Sequence, residues 1–408
     1  MMNKSKWLTV ALVNLSILAL LGVTLRCKIL FSIPFIDFKN TLHAHSHFAF
    51  GGWITLCLLT LMTYEILPES FSGRPVYKWL LTGILFNAAG MLFTFPVTGY
   101  AFLSILFSTL FIFVTYIFTW VFIKDLLKSN AGRPVILLSI VSLLALVLSS
   151  VGPFTLAYML ASHSVNTLLY RDAIYTYLHM QYNGFFTLAI FALFFNMAGN
   201  NVSATGKKNI RRFTVALSVC VIPTLFLSYL WHYENILIRI TAIIGCICLA
   251  ITLILFLIMM GSVKDFLKTL TPFAIKIGLL SMLAFALKTA IQAGIVFPAV
   301  GQAVFGDRPI IIGYLHLVML GFVSLYLLAH LVQSGYFNNR LGMAKAGITV
   351  FTSGVILNEI LLMTQGLSAM LMVSSTLYPV LLLGAAIWLF IGAMMIAVPS
   401  FKNFKKSI

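Results

Sequence analysis

The chain has 408 residues, 61% of them hydrophobic and only 9% charged, with a formal net charge of +17. That composition excludes a soluble enzyme and a disordered tail alike, and its apolar runs of about 20 residues are what a bilayer core demands. The positive charge clusters between those runs, as in the positive-inside bias, so it does not imply a nucleic-acid surface.

Twelve spans are predicted: 7–25, 41–64, 77–96, 99–123, 133–158, 173–197, 212–231, 235–260, 273–296, 309–334, 344–366 and 374–398. Only helices or closed barrels satisfy their backbone in lipid, and these runs are too long and uniformly apolar for barrel strands. The expected fold is therefore all-α, one polytopic membrane domain over residues 1–408, with no hydrophilic segment long enough to fold alone. The first span lacks a clear small-residue cleavage site and is long for a signal peptide, so it is expected to be retained.

Span 2 opens with His43-Ala44-His45-Ser46-His47. His43 and His47 are one turn apart and share a helix face, while His45 is rotated away by about 200°. That suits two adjacent sites, or one ligand with a supporting histidine. Span 5 is followed by His163, span 6 carries His179 in Tyr177-Leu178-His179, and His232 ends span 7 beside Trp231 and Tyr233. Cys246 and Cys248 of span 8 point to different faces. The five cysteines contain no Cys-x-x-Cys, so neither c-type haem attachment nor a thiol redox motif is present. Lys288 lies in span 9 and Glu359 in span 11, where either could carry protons or face a polar interior. Span 10 carries Tyr314-Leu315-His316 and, at its other end, His330.

One motif recurs. His47 precedes Gly52-Trp53, His179 precedes Gly184-Phe185, and His316 precedes Gly321-Phe322, each reading His, four residues, Gly, aromatic. The intervals are 132 and 137 residues, about one third of the chain. Such a repeat implies three pseudo-threefold arcs of four helices, each presenting one histidine. The glycine leaves room for a close-packed helix or a flat macrocycle, against which the aromatic can pack. Nineteen of the 26 lysines and arginines, from Lys4 and Lys6 through Lys207, Lys208, Arg211 and Arg212 to Lys402, Lys405 and Lys406, fall on one side, which makes both termini cytoplasmic. His47, His179 and His316 then form one layer roughly 9–10 Å into their helices, in the outer half of the membrane. The ordinary alternative for a single buried histidine is a hydrogen-bonded interior residue, and it is preferred for His163 and His330. A repeat-related layer of three argues for metal or haem. No Walker motif, dinucleotide fingerprint or inverted repeat is present.

With histidines on spans 2, 6, 7 and 10 of twelve, the chain resembles the catalytic subunit I of haem–copper oxidases and nitric oxide reductases. Phe48-Ala49-Phe50-Gly51-Gly52 is similar to the cbb-type branch, and His43-Ala44-His45 resembles the NnrS family of haem- and copper-containing proteins linked to the nitric oxide response. The resemblance implies a low-spin haem held by His316 and one of His43, His45 or His47, of which the repeat favours His47. It implies copper on His179, with His232 as a remnant of the family's adjacent histidine pair, and haem propionates near Arg171, Arg239, Lys288 or Arg308. Asp172, Glu234 and Asp307 offer those cations surface partners instead. Two family positions are replaced: no His-His pair exists, and Tyr314 stands where a second haem ligand of span 10 would be. Tyrosine can itself ligate ferric haem, or it simply hydrogen-bonds near the outer surface.

The expectation is a haem-binding redox protein of the inner (cytoplasmic) membrane, with copper as a second candidate cofactor. It would act in electron transfer or in handling oxygen or nitric oxide, with a small redox subunit or cytochrome as donor. The alternative is a non-catalytic, NnrS-like sensor or metal-trafficking protein; a transporter is the third option.

Overall fold

The computed structural model describes residues 3–199, 201–231, 235–306, 308–337, 341–373 and 375–405, which are almost wholly helical with no strand among them. Among the described residues, twelve helices are long and apolar enough to cross a membrane: α1 Lys4–Leu30, α2 Phe38–Ile66, α3 Pro75–Thr98, α4 Phe102–Leu126, α5 Arg133–Ala161, α6 Thr167–Ala198, α7 Ala204–Tyr229, α8 Ile236–Ser262, α9 Pro272–Gly294, α10 Arg308–Gln333, α11 Leu341–Met370 and α12 Leu377–Phe401. The protein is an all-α, multi-pass membrane protein.

Each helix coincides with a predicted span, and most overrun it because capping residues lie beyond the apolar run. Asn3 accepts from Lys6 N, Asp37 from Asn40 N, Asn166 from Leu169 N and Ser203 from Gly206 N. Each satisfies a main-chain donor that the first turn leaves open. The largest overrun is α7, where Ser203 starts the helix eight residues before the predicted 212, through a turn rich in Lys207, Lys208 and Arg211. Pro75 and Pro272 start α3 and α9 at a position where the missing N–H costs nothing.

Two compact units emerge from the packing: Met1–Phe118 with Pro272–Ser281 and Leu315–Ile408, and Thr119–Thr271 with Met282–Tyr314. In the first, one carboxylate ties three helices: Glu65 takes Lys4 Nζ at 2.7 Å on one oxygen and His330 Nε2 at 2.6 Å on the other. His330 is thus a partnered interior residue, as its isolated position suggested. In the second, Phe191, Phe213, Phe256 and Phe285 interlock at centroid separations of 4.8–6.4 Å. Such tilted and edge-to-face ring pairs add to their area burial. The most buried spans are α6 and α2, with 94% and 83% of their central windows inside, against 22% for α4.

The histidine repeat has a backbone counterpart that composition does not show. The helix turns into π-helix directly after His179 (Met180–Phe186) and His316 (Leu317–Ser324), and two residues after His47 (Ala49–Thr55). π turns widen the helix and loosen its ladder, and they concentrate at functional sites. In each, a side chain satisfies a carbonyl: Asn14 donates to Gly52 O (2.7 Å), Thr187 to Tyr182 O (2.6 Å) and Ser281 to Phe322 O (2.6 Å).

Candidate functional site

In the first unit, α2 presents its histidines in two directions, as their angular separation requires. His45 lies against α1, and the charges of His316 and Arg26 are within electrostatic reach of its ring. Its Nδ1 is buried with no hydrogen-bond partner. Gly22 of α1 is its neighbour: a Cβ there would stand in ordinary contact, 3.6 Å from His45 Cε1. An imidazole with a buried, unused nitrogen is available to hold a metal. Arg26, half-buried one turn beyond Gly22, has no hydrogen bond or ion pair among the described residues. A cation placed there calls for an anionic partner. Sequence reasoning passed over Arg26 because it sits on a span with no histidine; its place four residues from Gly22 was the available signal.

His47 points elsewhere. Its ring stacks on Phe95 of α3 (4.6 Å, 7°), and Nε2 is hydrogen-bonded to Tyr100 Oη at 3.2 Å. His43 shares this face, with its ring 4.7 Å from that of Tyr100 and its Nε2 buried and unpartnered. The repeat favoured His47 as the partner of His316; of the three α2 histidines, His45 is the one whose charge is felt from His316. The repeat's glycines also do other work than making room for a macrocycle. A Cβ on Gly52 would meet the Phe48 ring at 2.5 Å, and one on Gly184 would meet Ala145 Cβ at 2.5 Å. The repeat's first aromatic, Trp53, donates Nε1–H to Ser324 in the π segment of α10 (2.9 Å).

In the second unit His179 is fully enclosed, and both its nitrogens are engaged. A carbonyl can only accept, so Nε2 carries the proton and donates to Val221 O (2.8 Å); Nδ1 then accepts from Asn183 Nδ2 (3.1 Å). The other end of the Asn183 amide accepts from Lys288 Nζ at 2.6 Å, and Lys288 also reaches Thr187 Oγ1 at 3.3 Å. Lys288 is 3% exposed. It borders a cavity of ≈ 20 Å³ lined also by Asn183, Cys220, Thr252, Thr289 and Gln292, enough for one water. Tyr314 belongs to this polar group: its hydroxyl lies 3.5 Å from Gln292 Oε1 and its ring faces Tyr182.

The remaining candidates scatter. His232, with Glu234 and Asp307, lies outside the described residues. Arg239 and Arg308 are exposed in the first turns of α8 and α10. Arg171 is held by Tyr175, the Phe305 carbonyl and the Trp231 ring. Glu359 is half-buried beside Asn358, which donates to it at 3.2 Å. Among the described residues, no three or more His, Cys, Asp or Glu side chains are grouped as a metal would need. His45 keeps a buried nitrogen unbonded, whereas both nitrogens of His179 are committed to protein partners and would have to be released for copper.

No protein-family model matches the chain, and no curated protein matches it either.

Proposed function

We propose that this is a haem-holding membrane protein in which His45 and His316 would hold the iron and Arg26 would pair with a haem carboxylate. The observation that carries the reading is the unpartnered, buried His45 Nδ1 on a ring within electrostatic reach of His316. Iron held by the two imidazoles would supply one-electron transfer. The π segment after His316 sets that helix's phase beyond the ligand.

A non-catalytic role, in electron transfer or in the response to a diatomic gas such as nitric oxide, is favoured over oxygen reduction. Its support is the committed state of His179 and the absence of a His-His pair. The resemblance to the haem–copper and NnrS families points the same way. The positive-inside bias favours the inner membrane with cytoplasmic termini, and electrons would come from a separate donor.

The test is the optical spectrum of purified protein, oxidised and dithionite-reduced, with iron analysis. A sharp reduced α band is expected, lost in His316→Ala and His45→Ala and retained in His47→Ala. Well-folded protein without haem, or haem retained in both of the first two variants, overturns the reading. With the band present, an unchanged spectrum under carbon monoxide is expected; a gas-induced shift would mean an open iron position and would overturn the two-ligand assignment.

A further inference from the structure

We infer that His43, His47 and Tyr100 form a second, separate site, one for a transition-metal cation at the end of α2 where the chain enters it. The haem reading uses none of these side chains. His43 and His47 project from the same face of α2, one turn apart. Tyr100 is brought over them by the α3–α4 connection. Gly99 there has φ +59°, ψ −140°, a conformation only glycine adopts readily, and a Cβ on it would also strike Asn40 Oδ1 at 2.5 Å. The turn therefore folds back tightly against the first turn of α2 and delivers the phenol to the imidazoles.

Three details give the cluster the character of a donor set. His47 Nε2 and Tyr100 Oη are 3.2 Å apart. Two ligands each about 2.0–2.1 Å from a tetrahedral metal are separated by roughly 3.3 Å, so the pair already spans one edge of a coordination shell. His43 Nε2 is buried and makes no hydrogen bond, which an interior polar atom seldom does without a reason. The His47 ring is fixed by its parallel stack on Phe95, so its nitrogen is held in one direction. Tyr100 is 53% exposed, which leaves the site open to solvent. Two imidazoles and a phenol select a borderline divalent cation, Cu(II) or Zn(II), over Mg(II) or Ca(II). Binding would displace the phenol proton, which makes affinity rise with pH.

The experiment adds Cu(II) to full-length protein purified without a histidine tag and follows bound copper, its electron paramagnetic resonance and the visible spectrum. One Cu(II) per chain is expected, with nitrogen hyperfine structure and a phenolate-to-copper charge-transfer band. Tyr100→Phe should abolish that band and weaken binding at least about tenfold. His43→Ala/His47→Ala should abolish binding and remove the copper signal. Tyr100 is exposed, so Tyr100→Phe keeps the test valid if the double variant fails to fold. Failure to bind copper, binding indifferent to these substitutions, or copper without the phenolate band overturns the site. Haem content read on the same samples separates the two proposals: His45→Ala and His316→Ala should leave copper binding intact.

Discussion

His45 and His179 sit in the same kind of place, within the last α-helical turn before a π segment, yet their chemistry is opposite. His179 has spent both nitrogens on protein partners, with Val221 O at one end and the Asn183–Lys288 chain at the other. His45 has one nitrogen buried with nothing to bond. A place just before a π segment thus does not decide whether a histidine is structural or available; the neighbouring helices do.

The widest test of this contrast is reciprocal. His45→Ala should eliminate haem, whereas His179→Ala should leave the haem spectrum unchanged and lower the melting temperature. Equal effects on haem would erase the distinction. Next in size is Asn183→Leu, which removes the amide joining His179 to the buried Lys288. Losing one neutral hydrogen-bond partner of a buried charge costs about 1.5–3 kcal/mol, read as a lowered midpoint in thermal unfolding in detergent. Lys288→Met added to Asn183→Leu should recover part of that loss, since the charge then goes with its partner.

Smaller effects come from the repeat's glycines. Gly184→Ala drives a Cβ against Ala145 Cβ, which can retreat only with the α5 backbone, and should cost about 1–3 kcal/mol. Gly52→Ala meets the Phe48 ring, which can turn aside, and should cost less. The reverse order in melting temperature would show that the two π segments are not packed as described. The smallest effect lies outside the spans. Lys268 holds the Asp265 carboxyl below its usual range and is itself held above its own. The Asp265 contribution is present above its unfolded pKa and lost as pH falls through the folded value; that of Lys268 is lost as pH rises through its raised value. Both side chains are exposed, 91% and 76%, so solvent screens the pair. Asp265→Asn should leave the melting temperature unchanged at neutral pH.

Much of the candidate site was legible before any coordinates. The histidines of α2, α6 and α10 stood out by their repeat, and the separation of His43 and His47 from His45 followed from 3.6 residues per turn. The choice between those two faces did not follow, because the sequence does not say which face of α2 meets α10. Each π segment also breaks the regular period on which such a projection depends. Arg26, Tyr100 and Asn183 carried no motif; they matter through contacts with residues distant in the chain.

The sequence by itself determined the twelve spans, which depend on local hydropathy, but not the depth of each histidine: counted from the helix starts at Phe38, Thr167 and Arg308, His47, His179 and His316 lie 9, 12 and 8 residues in, deeper than the expected common layer and not level with one another. Only the tertiary structure decided that His45 lies against α1 with one nitrogen buried and unbonded, that His47 turns to Phe95 and Tyr100, and that His179 is sealed by Val221 and Asn183. Those outcomes depend on helix rotation and on which donors and acceptors neighbouring helices bring to each ring, and a local pattern encodes neither.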